Sequence, residues 1–263
     1  MKTIAIAITN QKGGVGKSSS AAALGKAFSL YGKKVLLIDL DPQGNLSYIM
    51  AADTSKANIL DVMQEPEQIT AAIQKTEQGD IIASAKGLAI ADQLFPEDHK
   101  EFILKKAIEK ISGLYDYVII DTPPALGIIT INALTACSEA IIPAQADILS
   151  LQGIGQLSET IDRVRKYCNA DLKIAGIVLT RYNGRAVISR EIGEAMEHAA
   201  QQLKTKLFNT RVRECTAIKE AQLVKKDIFS YASRSNAAAD YKALAAEILK
   251  TKGRSNHHGK KEL

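Results

Sequence analysis

Residues Lys12–Ser18 read Lys-Gly-Gly-Val-Gly-Lys-Ser and lie between an apolar run and a helical pattern. Glycines at 13, 14 and 16 let a backbone turn tightly enough for successive amides to face one anion. A helix opening near Lys17 adds the partial positive charge of its N-terminus. Lys17 would reach the outer phosphates of a nucleotide, and the Ser18 hydroxyl is a hard oxygen suited to Mg²⁺. Together Lys12, Gly13, Gly14, Val15, Gly16, Lys17, Ser18 and Ser19 form the candidate phosphate loop. The usual spacing GxxxxGK[ST] is not met, because Gln11 stands five positions before Gly16. A second lysine, Lys12, occupies the start of the loop instead.

Two acidic segments complete the chemistry. In Leu36–Asn45 (LLIDLDPQGN), Asp39 and Asp41 are spaced i, i+2 on a strand end and so point the same way. In Tyr117–Pro124 (YVIIDTPP), four apolar residues lead to Asp121, the pattern of a strand whose terminal carboxylate holds Mg²⁺ through a water. The prolines after it enforce a rigid turn.

Parallel strands are expected to carry these groups. Thr3–Thr9, Lys34–Leu40, Asp116–Asp121, Glu139–Pro143 and Lys173–Thr180 are short apolar runs of the kind buried on both faces, with Asp80–Ala85 a weaker one. Helical patterns cover Ser18–Tyr31, Glu101–Ile111, Gly153–Tyr167, Ser189–Leu203, Ala217–Val224 and Ala237–Leu249, and Gly32 sits where a helix-ending glycine belongs. Ala51–Gln78 is expected to hold short surface helices. Alternation of this kind predicts an α/β fold, a mostly parallel doubly wound sheet flanked by helices, with ligands at the carboxyl ends of the strands. One domain over 1–250 and a basic, disordered tail over 251–263 are expected.

Composition narrows the function. The 263 residues are 46% hydrophobic and 24% charged, ordinary for a chain with a substantial core, and no apolar stretch reaches the length that spans a bilayer. Cys137, Cys168 and Cys215 are odd in number and far apart, which argues against a disulfide framework or a zinc site. A cytoplasmic location is expected. The net charge of +5 is clustered: Lys204–Lys226 carries seven basic residues against two acids, and the tail from Lys250 carries five against one. Such clustering allows a phosphate-contacting surface but does not by itself establish one.

The loop KGGVGKS after the first strand resembles the deviant Walker A ATPases of the MinD/ParA superfamily, and IDLDPQGN resembles the ParA/Soj form in particular. The resemblance implies a P-loop NTPase using ATP and Mg²⁺, in which Lys12 reaches across a nucleotide-sandwich homodimer to the partner's phosphates. It implies that Asp41, with Lys12 the second catalytic candidate, orients the attacking water or supports Mg²⁺ through water, that Asp39 anchors the loop, and that Thr122–Pro124 sense the γ-phosphate. Asp147, in a segment similar to the family's (IIPAQADILSLQG), is expected at the dimer contact or in ordering a loop. Arg211–Gln222 resembles the stretch lying over the adenine, which would place Arg213 and Cys215 there; many members have Asn at the position of Cys215. The match extends over nearly the whole chain, least informatively over Ala51–Leu114.

Within the superfamily, the last residues lack the amphipathic helix that MinD-like proteins use to hold a membrane. The cysteines do not match those of the nitrogenase iron protein. An ATP-dependent metabolic enzyme of the same fold is the other alternative. The resemblance therefore implies a slow, partner-stimulated partitioning ATPase whose ATP-bound dimer binds double-stranded DNA without sequence preference, with a ParB-like centromere-binding protein as partner, no membrane, and a nucleoid-associated location. Candidate DNA contacts are Arg185, Arg190, Arg213, Lys219, Lys225 and Lys226. With the P-loop beginning at residue 12, no N-terminal operator-reading module, and so no operator-specific autorepression, is expected.

Overall fold

The computed structural model describes residues 3–95, 99–184 and 187–258, with the side chains of 92, 187–190 and 251–258 outside the description. Among the described residues seven strands form one sheet: β1 Ile4–Ile8, β2 Val35–Asp39, β3 Ile73–Thr76, β4 Gly79–Ile82, β5 Tyr117–Asp121, β6 Glu139–Ala144 and β7 Lys173–Leu179. Their order is β3-β4-β2-β5-β1-β6-β7. All pairs are parallel except β3 with β4.

The strands are apolar on both faces because each face is covered by helices. Along β2, Leu36 and Ile38 turn to one core with Val118, Ile120, Leu134 and Leu157. Val35 and Leu37 turn to the other, with Phe28, Ile119 and Tyr241. The second core packs the helix Lys17–Leu30 and the closing helix Asn236–His258 against the sheet. Gly32 ends the first of these with φ 75°, as its position in the sequence predicts.

Three segments depart from the expectation. Ala51–Gln78 is not merely surface helix: Ile59, Val62, Met63, Ile69 and Ala72 are fully buried, and Ile73–Thr76 is an antiparallel edge strand. That strand has no apolar run because only one of its edges pairs and its side chains stay half exposed. A helix over Ile128–Ala136, in a segment for which no element is predicted, packs nearly all round. Helix Ile148–Tyr167 starts before Gly153 because Asp147 caps it, its Oδ1 accepting the Ser150 amide at 2.8 Å. The closing helix continues past residue 250 to His258, and 259–263 lie outside the described residues.

Candidate functional site

The register brings the chemistry together. Asp39 and Asp121 are paired across β2 and β5, and Ile8, the last residue before the loop strand ends, is paired with Asp121. Carboxyl ends of β1, β2 and β5 therefore converge on one cleft of about 600 Å³. Its floor is the loop 13–19, with Asp41 and Gln43 on one side, Pro124 at the edge, and Lys219, Gln222 and Leu223 opposite.

The loop is held from behind. Gly14 and Gly16 take φ 75° and 85°, left-handed values that a side chain would resist. Thr180 Oγ1 donates to the Val15 carbonyl at 2.7 Å, Gln145 Nε2 to the Gly14 carbonyl at 3.2 Å, and Lys17 Nζ to the Lys12 carbonyl at 3.1 Å. With these carbonyls turned inward, the loop amides are left for a ligand. A Cβ at Gly13, Gly14 or Gly16 would meet nothing within 4 Å, so the space they face is open.

The carboxylates differ in surroundings. Asp39 is buried and fully engaged: Oδ2 accepts the Ser47 amide and hydroxyl, both at 2.7 Å, and Oδ1 accepts the Asp41 amide at 3.1 Å. It anchors the loop after β2. Ser84, whose amide donates to Ser47 Oγ at 2.8 Å and whose hydroxyl donates to the Asp41 carbonyl at 2.5 Å, locks the same turn. Burial pushes the Asp39 carboxyl up to about 6, with Ser47 opposing the shift. Asp41 lines the cleft, its Oδ1 accepting the Gln43 amide at 3.0 Å.

Asp121 is completely buried, and the Ser18 hydroxyl beside it is too poorly placed to satisfy either oxygen. Burial, and then repulsion from Asp39, push its carboxyl well above the usual range; Ser18 and Lys17 oppose this without prevailing. Lys17 is buried too, and burial lowers its ammonium despite attraction from Asp121 and Asp41. An orphaned carboxylate beside a serine hydroxyl, facing an open loop of amides and a desolvated lysine, fits Mg²⁺ with a phosphate. Ser18, Asp121 and Asp41 are the residues that would hold the cation.

A pH dependence follows from Asp39. Its folded value of about 6 lies above the ordinary 3.8, so between these limits the folded chain binds more protons than the unfolded one. Stability is then highest below the ordinary value and falls as pH rises through the folded one, by something on the order of 3 kcal/mol. Asp121 adds to the same sign. The nucleotide-free protein should melt at a higher temperature at pH 5 than at pH 7, and Asp39→Asn should shrink that difference. A melting temperature that instead rises from pH 5 to 7 would rule out this pair as the controlling groups.

Lys12, the extra lysine, does not turn into its own loop. Its Nζ lies 2.5 Å from Asp147 Oδ2, so two residues singled out separately in the sequence meet as an ion pair. Burial works against the Asp147 charge, but Lys12 and the Ser150 amide outweigh it and hold the carboxyl below its ordinary value. Beside the pair, Ile148 and Leu149 are 66% and 62% exposed.

Other expected site residues are scattered. Arg213 is clamped to Asp240, with Nε at 2.9 Å from Oδ2 and Nη2 at 2.7 Å from Oδ1, and Cys215 precedes helix Thr216–Leu223. Neither is among the residues lining the cleft, where the same helix instead presents Lys219, Gln222 and Leu223. Gln222 Nε2 donates to Ser19 Oγ at 2.8 Å. The sequence offers no signal for Gln222, Ser47 or Ser84, since each acts through a partner remote in the chain. Of the basic candidates, Lys219, Lys225 and Lys226 are exposed, Arg185 lies outside the described residues, and so does the side chain of Arg190.

Comparison with known proteins agrees with this geometry. The model of an AAA domain family matches residues 1–174. The sporulation initiation inhibitor protein Soj of Bacillus subtilis (strain 168) is 38% identical over 249 residues, covering 92% of this chain and 97% of that one. The chromosome partitioning protein ParA of Myxococcus xanthus is 34% identical over 250 residues, covering 93% and 87%. A solved structure of cobyrinic acid a,c-diamide synthase from Mycobacterium smegmatis, with bound ADP and magnesium, superposes with a TM-score of 0.81 at 32% identity, covering 94% of each chain. With a deviant phosphate loop and this likeness along almost its whole length, the chain belongs to the ParA/Soj family of P-loop partitioning ATPases.

Proposed function

We propose that this chain is a nucleotide-switched DNA-segregation ATPase: two ATP-bound copies close face to face, bind double-stranded DNA irrespective of sequence, and let go on hydrolysis. Hydrolysis is slow in the chain alone and is stimulated by a ParB-like partner. When bound, MgATP would supply the transferable phosphoryl group and a divalent cation to offset its charge. The loop amides bind and orient the phosphates, buried Lys17 neutralises them, Asp121 and Ser18 position the cation, and Asp41 aligns the attacking water.

The observation that carries the dimer step is the placement of Lys12. It is paired with Asp147, beside exposed Ile148 and Leu149, and is not among the residues lining its own cleft. A cation held there, on an apolar rim, suits delivery to a facing copy. Dimerisation doubles the basic surface that includes Lys219, Lys225 and Lys226, which makes backbone contact with DNA dependent on nucleotide. A cytoplasmic, nucleoid-bound protein follows. Among the described residues no helix is long and apolar enough to cross a membrane.

The test is binding to random-sequence duplex DNA with ATP, with ADP and without nucleotide across a salt series. Binding should require ATP and fall linearly in log–log form as salt rises. Lys17→Ala should bind in no state. If ATP is hydrolysed while DNA is ignored throughout, the DNA step is wrong, and anionic vesicles or small-molecule acceptors become the substrates to try.

A further inference from the structure

The outer walls of the nucleotide cleft come from distant parts of the chain, the short helix Asn45–Ile49 and the helix Thr216–Leu223. Both walls end side by side, and a helix end leaves carbonyls that no helical amide can reach. The second helix closes through a left-handed residue, Lys225 with φ 51°. The Lys225 amide donates to the Gln222 carbonyl at 3.1 Å and the Lys226 amide to the Ala221 carbonyl at 2.9 Å, the paired bonds of a Schellman ending. Glycine would take this conformation more readily than lysine. Here the lysine is held on two sides: its Nζ lies 4.9 Å from the centre of the Tyr48 ring, and its carbonyl is hydrogen-bonded.

The donor is Gln78, in the turn between β3 and β4. One nitrogen, Nε2, donates to the Ile49 carbonyl at 2.5 Å and to the Lys225 carbonyl at 2.8 Å. It thus ties the end of one wall to the end of the other, reaching a carbonyl 147 residues away in sequence at Lys225. We propose that Gln78 is a positioning residue that sets the spacing of the two cleft walls, and through it the affinity for nucleotide. This rests on the ATPase reading above. Gln78 is not among the residues lining the cleft; it acts through Ile49, Tyr48 and the end of the helix carrying Lys219, Gln222 and Leu223. The chemistry is selective, because two carbonyls need two donors on one short arm. Glutamate would present oxygen to oxygen, and methionine would keep the length and bulk with no donor at all.

The experiment compares the full chain with Gln78→Met and Gln78→Glu. Three quantities are read: equilibrium binding of a fluorescent ATP analogue with Mg²⁺, steady-state hydrolysis, and amide hydrogen exchange without nucleotide. Gln78→Met should bind about tenfold more weakly, with KM raised to match and kcat within about twofold. Gln78→Glu should be at least as weak. Exchange should quicken in 45–50 and 216–226 together. Unchanged affinity in Gln78→Met, even with a lower melting temperature, would make Gln78 structural only and overturn the proposal. An equal loss of kcat would overturn it too, by placing the effect on chemistry or on the whole fold. Failure of the wild-type chain to bind the analogue would instead sink the ATPase reading, and this role with it.

Discussion

Asp121→Asn is expected to stabilise the nucleotide-free protein while cutting Mg²⁺-dependent hydrolysis by about 10²-fold or more. The carboxyl is fully buried, is left unsatisfied by the neighbouring Ser18 hydroxyl, and lies opposite Asp39 across the β2–β5 pair. Folding must either bury its charge or keep it protonated. The second course costs about 1.4 kcal/mol for each pH unit above its ordinary value. An amide of the same shape escapes both costs, so the gain should be on the order of 1–4 kcal/mol and grow with pH. The catalytic loss has the same origin, since the orphaned oxygens are what would order the cation. Thermal unfolding at pH 6 and pH 8, followed by hydrolysis at saturating Mg²⁺, checks both halves. A variant that melts lower than wild type at pH 8 would show that Asp121 has a stabilising partner and that the metal-facing account is mistaken.

Lys12→Ala should leave ATP binding nearly intact and lower hydrolysis by about 10³-fold, the scale of a cation supplied to the transferring phosphoryl group from a facing subunit. Its side chain is engaged with Asp147, whereas the loop depends on its carbonyl, which any residue provides. Asp147→Asn probes the other member. Asparagine preserves the helix cap but releases the lysine. Both side chains are partly exposed, at 23% and 36%, and such pairs are worth only about 0.2–1 kcal/mol. Dimerisation with ATP should therefore shift to a two- to fivefold lower protein concentration, roughly the factor that energy allows. Sedimentation with a slowly hydrolysed ATP analogue measures it. A weaker dimer in Asp147→Asn would mean that the aspartate itself belongs to the contact and does not restrain Lys12.

Much of this was legible in one dimension because the relevant physics is local. A glycine-rich loop between a strand and a helix, and carboxylates at strand ends, are dictated by residue type and spacing. Continuous apolar runs forecast strands buried on both faces, and six of the seven strands lie where those runs do. The parts that escaped are those whose residues carry no pattern of their own. Ile73–Thr76 is a strand because β4 offers it an edge, and Ile128–Ala136 is a helix buried nearly all round, so neither shows the periodicity of a half-exposed element.

The sequence by itself singled out the candidate groups: the phosphate loop, the lysines at 12 and 17, and the aspartates at 39, 41 and 121, each recognisable from its neighbours in the chain. Tertiary structure alone decided their states and their helpers. The fold buries Asp39 and Asp121 at neighbouring strand ends, which raises both carboxyls, Asp121 further through repulsion from Asp39, and it seats Lys12 on Asp147, 135 residues away. It directs Lys219, Gln222 and Leu223 to the cleft while Arg213 is taken up by Asp240, and it draws Gln78 onto the ends of two walls. Burial, pairing and the satisfaction of stranded carbonyls depend on distances in space, which a linear order of residues does not contain.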